Sequence, residues 1–281
     1  MRVGWGKKQE KVSTLMSYKN LIIEKHDPGI FVLKISRPKA LNALNEEVLS
    51  ELVRALKEIE LDPSLRALIL TGDGDKSFIA GADILEMSKK SSDEGIRFAM
   101  LGHQVGKMLR FLPVPVIAAV NGYALGGGTE MAIACDFIYA SENAVFGQPE
   151  VGLGIIPGFG GTFRLAEFIG IPQAKELIFS GKKIKADEAL RLGLVNQIFK
   201  QEDLLNETIS MAKKIALNSL TAVKAGKKLL NELSDTIGVH HKVDIEVHEF
   251  GRLFGTPDQK EGMQAFVDKK KPLFLGLSIE K

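Results

Sequence analysis

Three short stretches limit what this chain can become. "RALILTG" (residues 66–72), "VPVIAAV" (114–120) and "CDFIYAS" (135–141) have the length of strands and are apolar with almost no alternation. A strand with one face in water alternates apolar and polar residues; a strand covered on both faces has no need to. The chain must therefore supply two covering layers, and the segments between the runs can do so. In "RPKALNALNEEVLSELVRALKEIELDPSL", residues Leu44, Val48, Leu49, Leu52, Val53, Leu56 and Ile59 recur at helical spacing. Asn42 or Asn45 can cap that helix, and Pro63 lies beyond its end. A second helix is predicted over residues 92–111, stopped before Pro113. Upstream, "NLIIEKHDPGIFVLKIS" reads as two strands around an Asp-Pro-Gly turn. Strand and helix alternate up to about residue 200, which predicts an α/β chain with mostly buried parallel strands. Beyond that point the pattern is helical throughout, and the C-terminal third reads as a helical appendage.

Several classes of function drop out early. The formal net charge of +2 gives no footprint for nucleic acid or an anionic membrane. No apolar run reaches the ~18 residues of a membrane span. The start, "MRVGWGKKQEKVSTL", is basic but lacks the apolar centre of a secretory signal. A transit peptide is disfavoured, since Arg2 is its only arginine and Glu10 is acidic; with a second plausible start at Met16, residues 1–15 read as an extension. The single cysteine, Cys135, cannot form an internal disulfide, which fits a reducing compartment, and a cytoplasmic location is expected. No G-x-x-x-x-G-K-[ST] occurs, and "GFGGTF" lacks the spacing of a dinucleotide loop. The five histidines (His26, His103, His240, His241 and His248) form no metal-ligand motif, and His240 and His241 read as a solvated helix face. No G-x-S-x-G elbow is present.

Chemistry gathers instead in three glycine-rich or small-residue stretches. "NGYALGGGTE" (121–130) ends a buried strand with Gly126, Gly127 and Gly128. If a helix starts near residue 127 or 128, its free N–H groups favour a developing negative charge, the design of an oxyanion hole. A tight strand-to-helix turn is the competing reading of the same glycines. Glu130 then enters "MAIACDFIYA", where it is either a buried working carboxylate or an acid stabilised by the helix start. "SFIAGADILEM" (77–87) places Ala80, Gly81 and Ala82 after another strand, with Asp83 as the predicted helix cap. "FGQPEVGLGIIPGFGGTFRL" (146–165) puts Glu150 at the head of an apolar loop. Desolvation there raises a carboxyl pKa and suits it to general acid or base work. A solvated loop acid is the alternative.

Taken together these stretches resemble the crotonase, or enoyl-CoA hydratase/isomerase, family. "RPKALNAL", "FIAGADILEM", "PVIAAVNGYALGGGTEMAIACD", "FGQPEVGLGIIPGFGGTFRL", "KADEALRLGLVN" and "DQKEGMQAFVDKKKPLF" carry the likeness, in family order, over about residues 18–275. Within the family the likeness is greatest to short-chain hydratases. It implies a spiral core of β-β-α units (residues 16–205) and a C-terminal helical trimerisation region (206–281). Trimers or paired trimers are implied, with an acyl-CoA thioester as substrate. The backbone N–H groups of Ala82 and Gly127 are implied as the oxyanion hole, and Glu130 and Glu150 as the catalytic carboxylates. Substrate contacts are implied at Ala80, Ala82, Asp83, Ile84, Leu85, Gly127, Pro149 and Gly158. No metal or separate cofactor is implied, since CoA is part of the substrate. Water activation would fall mainly to Glu130 and the C2 proton to Glu150, with the water shared between them.

Three departures stand out. Thr129 replaces a frequent Cys, a small-for-small change expected to be neutral. Phe163 replaces the Gln of a "GGTQRL" pattern, at the cost of a loop hydrogen bond. Leu85 stands where many hydratases have Lys, which weakens a charged CoA contact there; Lys269 or Lys270, near Phe266, could approach the CoA phosphates instead, or form a solvated charge run. Two alternatives accompany hydration: a Δ3-Δ2 enoyl-CoA isomerase, which can run on one carboxylate, and an RNA-binding relative. The lysines for the latter (Lys213, Lys214, Lys224, Lys227 and Lys228) read as an ordinary solvated helix.

Overall fold

A computed structural model of the chain describes residues 17–235 and 239–274, without the side chains of 234–241. The extension read at residues 1–15 and the His240 and His241 side chains lie outside the described residues. The chain opens with a hairpin: β1 (Leu21–His26) and β2 (Ile30–Ile35) pair antiparallel across the Asp-Pro-Gly turn. Helix α1 (Glu46–Leu61) is capped by Asn45, whose side chain accepts the Val48 N–H at 2.9 Å. Asn42 is used differently. It accepts the Arg37 N–H and donates to the carbonyls of Asp73 and Ser77, pinning the loop before α1.

Three similar turns of chain follow. The first contains β3 (Ala67–Gly72), β4 (Ser77–Ile79), the short α2 (Ile84–Met87) and α3 (Ser92–Phe111), which starts in a Ser91/Glu94 capping box. The second is β5 (Val116–Val120), β6 (Tyr123–Leu125) and α4 (Gly127–Ala132). The third is β7 (Phe137–Ser141), β8 (Val145–Gly147), a 3-10 turn (Pro149–Leu153), α5 (Gly161–Ile169) and α6 (Ile171–Ser180). Then come β9 (Lys183–Lys185), α7 (Ala186–Arg191) and β10 (Gln197–Phe199). Each of the three turns sends its first strand to a six-stranded sheet, ordered β1-β2-β3-β5-β7-β10. Its second strand goes to a four-stranded sheet, ordered β4-β6-β8-β9. Apart from β1 with β2 and β8 with β9, the pairings are parallel. The result is the expected β-β-α spiral.

The four inner strands of the large sheet, β2, β3, β5 and β7, are buried on both faces, as their composition requires. Phe31, Leu33, Leu68 and Leu70 point into the main core beneath α1 and α3. Ile30, Val32, Ala67 and Ile69 point the other way, under Leu204, Ala212 and Ala216 of α8 (Leu204–Ala216). Helix α8 is thus the outer cover of the sheet. A core boundary at residue 205 would cut through this helix, so we place the boundary between α8 and α9; a soluble, cooperatively folded fragment ending after α8 is the outcome that would support it.

Helices α9 (Leu220–Asp235), α10 (Val239–Leu253) and α11 (Pro257–Val267) complete the chain. The reading of their basic stretch as solvated needs correction at one residue. Lys227 is 9% exposed, pairs with Asp136 at 2.8 Å and donates to the Val114 carbonyl at 2.9 Å. One turn on, Asn231 donates to the Arg110 carbonyl at 2.9 Å. Lys227 therefore anchors α9 to the end of α3 and the start of β5, a task that its place in a lysine run does not show. Among the described residues no helix is long and apolar enough to cross a membrane.

Candidate active site

The site lies where the second strand of each turn of the spiral ends. Gly126 sits at φ 51°, a conformation that side chains resist, and turns the chain from β6 into α4. A methyl group there would also stand 2.5 Å from a carboxylate oxygen of Glu150. At Gly128 a methyl would fall on the carbonyl of Ile79, so α4 packs directly on β4. Gly127 is the first residue of α4, where amide N–H groups have no acceptor within the helix. The two readings of the glycine run are thus divided among its members. Gly126 and Gly128 make the turn and the close packing, and Gly127 presents an N–H.

Across from it lies the 80–84 loop. Leu44 bonds to this loop twice: its N–H donates to the Gly81 carbonyl, and its carbonyl accepts the Asp83 N–H. Strand geometry then directs the Ala82 peptide groups away from Leu44. Ala82 and Gly127 line one cleft of about 690 Å³. Ala80, Ile84, Pro149 and Gly158 line it too, as do both glutamates. Asp83 and Leu85 do not. Asp83 caps α2 and pairs with Arg37 at 3.2 Å, while Leu85 is 79% exposed on the outer side of α2. Lys269 and Lys270 bond back to Phe266 and Ala265 at the end of α11 and are absent from the cleft lining of this chain.

Glu130 lies in the first turn of α4 and is 2% exposed. Its Oε1 accepts two backbone N–H groups, from Phe159 and from Gly161, each at 2.7 Å. Burial pushes its pKa above the ordinary carboxyl range, against those two donors and the positive charge of Arg164. Of the two readings of Glu130, the structure shows the buried carboxylate: burial is the leading cause of its raised pKa, and the backbone donors that oppose it come from the 158–161 turn. Glu150 is 8% exposed on the 3-10 turn. Burial first, then the nearby charge of Glu130, push it up to about 7. That is the expected direction, from the expected cause. Gln148, fully buried, sets its amide 3.0 Å from both Glu150 oxygens in the orientation that matches donor to acceptor.

Some lining residues were not legible. Phe98 of α3 and Phe159 meet at 5.3 Å between ring centroids and line the cleft together. Phe98 shows in the sequence only as a helical apolar position, and Phe159 only as a residue among glycines. Lys183 reaches the cleft from β9, a strand with no sequence signal. The departures also acquire physical content. The Thr129 hydroxyl donates to the Ala124 carbonyl at 2.6 Å and accepts the Gly147 N–H at 3.2 Å, which ties β6 to β8. A thiol would make both bonds weakly, so the change from Cys is not one of volume alone. Phe163 stacks against His103, with rings 6° from parallel, and lies 5.0 Å from the Arg164 guanidinium.

A spiral of this kind with two carboxylates facing one cleft defines a class, and comparison with known proteins agrees. The enoyl-CoA hydratase/isomerase family model matches residues 25–276, and the chain belongs to that family. It is 50% identical over 260 residues to the short-chain-enoyl-CoA hydratase of Clostridium acetobutylicum, covering 91% of this chain and 97% of that protein. It is 48% identical to the crotonyl-CoA hydratase of Syntrophomonas wolfei, covering 92% and 99%. Among solved structures, an enoyl-CoA hydratase from Bacillus anthracis superposes with a TM-score of 0.89 at 37% identity. That match covers 92% of this chain and all of the other.

Proposed function

We propose that this chain adds water reversibly across the 2,3 double bond of short 2-trans-enoyl-CoA thioesters, giving 3-hydroxyacyl-CoA. The observation that carries the reading is the pair Glu130 and Glu150 on one cleft, beside the Ala82 and Gly127 backbone. The thioester oxygen is held by the Ala82 and Gly127 N–H groups. Glu130 takes a proton from water, whose oxygen bonds to C3. The electron pair of the double bond moves toward the thioester, whose oxygen gains enolate character and is stabilised by the two N–H groups. Glu150 delivers a proton to C2 as the carbonyl re-forms. The net change is one added water, and passage of the proton from Glu130 to Glu150 resets the pair. No electrons leave the substrate, so the reaction calls on no redox group. CoA enters as part of the substrate.

Isomerisation needs only one carboxylate, and the presence of two favours hydration. The preference for short chains is supported by the names of the two relatives. Loss of conjugated-thioester absorbance should be fastest with the four-carbon substrate and fall along a panel of longer ones. A flat or rising series would overturn the chain-length reading, and faster 3-enoyl than 2-enoyl turnover would replace hydration by isomerisation.

We also propose that the chain works as a trimer or a pair of trimers. Leu230, Val247, Phe250, Phe266 and Val267 are exposed on the last three helices, with Phe254 just past α10, and exposed apolar side chains of this kind suit a contact with another subunit. Sedimentation should give three or six chain masses; an active monomer would remove this proposal. A cytoplasmic location is supported by the single buried thiol, and cell fractionation should find the activity apart from membranes.

A further inference from the structure

Arg164 is a buried cation with no direct counter-ion. It is 5% exposed, and among the described residues no carboxylate pairs with it. Its Nε is buried and has no hydrogen-bond partner. Among the described residues its one side-chain hydrogen bond runs from Nη1 to the carbonyl of Phe159, at 2.9 Å. It also stands in the first turn of α5, the end of a helix that disfavours a cation. Charges are seldom buried on such terms without a use.

The use lies across a single turn of chain. The peptide that Arg164 grips by its carbonyl belongs to Phe159, and the N–H groups of Phe159 and Gly161 are the two that hold Oε1 of Glu130. The guanidinium also occupies a slot left by two missing side chains. A methyl at Gly106 of α3 would come to 3.0 Å from Nη1, and one at Gly160 would fall on it. Phe163, the aromatic departure, supplies a ring face to the same guanidinium at 5.0 Å.

We propose that Arg164 is the positioning residue of Glu130, fixing the 159–161 turn through the Phe159 carbonyl and setting a positive charge against the Glu130 carboxylate. The inference rests on Glu130 acting on substrate, as argued above. Other charges bear on the pair from each neighbouring element. Glu150 faces the pair from the 3-10 turn, and the charge of Glu130 helps to keep its carboxyl protonated. Around Arg164 stand Arg110 and His103 from α3, Glu167 from α5, and Cys135. Arg110 is itself paired with Glu167 at 2.9 Å, which leaves Arg164 as the cation that bears on Glu130.

Three variants and one combination test this: Arg164→Met, Arg164→Lys, Glu130→Gln, and Arg164→Met joined to Glu130→Gln. Arg164→Met should lower kcat on the order of 10²-fold with little change in KM, the scale of a misplaced catalytic group. It should move the acid limb of the pH profile to higher pH, because loss of a cation makes Glu130 harder to ionise. Arg164→Lys keeps the charge and should leave that limb close to its original place while kcat falls. The combined variant should be no slower than Glu130→Gln alone, since the arginine acts through the glutamate. Wild-type kcat and pH profile in Arg164→Met, or full additivity in the combination, would overturn the proposal. Should Arg164→Met not fold, Arg164→Gln takes its place with the same readouts. If Glu130→Gln itself is fully active, the underlying assignment fails instead, and the two failures are told apart.

Discussion

Glu130→Gln and Glu150→Gln should each lower hydration turnover by ~10²–10⁴, the usual range for a general acid or base. Each substitution keeps the shape of the side chain and removes its ability to carry a proton. At Glu130 the amide must also face the Phe159 and Gly161 N–H groups, which its oxygen can still satisfy. The fold should therefore survive, and substrate binding with it. The double variant should lose far less than the product of the two, because both groups act on one water and one transition state. The pH dependence has a definite sign. Glu150 is pushed up to about 7 and in the proposed mechanism delivers a proton, so kcat/KM should fall as pH rises through that region. The limb belongs to the pair, since the charge of Glu130 is one of the causes that raise Glu150. Glu150→Gln should remove it from whatever activity remains. Full turnover by either single variant, or an alkaline limb unchanged in Glu150→Gln, would strike that residue from the mechanism.

The second large effect is expected at Gly127. Proline there deletes the N–H proposed as an oxyanion donor, at the first helical position, where a proline ring is tolerated and no helix hydrogen bond is lost. Sterics have to be separated from the lost donor. A Cβ at 127 would lie 3.2 Å from the Phe159 ring and 3.4 Å from Leu44, tighter than comfortable in both directions. Gly127→Ala carries the Cβ but keeps the N–H, and so measures the steric part alone. Gly127→Pro should be slower than Gly127→Ala by ~10²–10³, the cost of removing one such donor. The loss should appear in kcat, because the bond strengthens as the oxygen gains charge. Equal rates for the two variants would show that Gly127 contributes space and not a hydrogen bond.

Much of this molecule could be read from its residues, for reasons that differ by region. The large sheet was legible because its four inner strands are five or six residues long and buried on both faces, which forces runs such as that at Ala67–Gly72. Helices α1 and α3 were legible because each buries one face and each begins at a side-chain cap. Glu130 and Glu150 stood out because an acid beside apolar sequence has to be explained. The small sheet was not legible. Its strands are three residues long, too short to show any period, and they exist because the spiral brings them into register. Asp83 and Leu85 carried a substrate-contact expectation by motif; the helix cap turns one inward to Arg37 and helical spacing turns the other outward.

What the sequence by itself determined was therefore the class of fold, the order of its elements and the two acids. These follow from local composition and from burial, which each segment expresses on its own. Only the tertiary structure decided that the 159–161 turn holds Glu130, that Arg164 grips that turn, and that burial raises the Glu130 carboxyl. It also decided that Lys227 is an anchor and not one of a row of solvated lysines. Each of these depends on groups far apart in the chain meeting in a space without water. There the strength of a charge or a hydrogen bond is set by its neighbours, and a linear pattern does not record them.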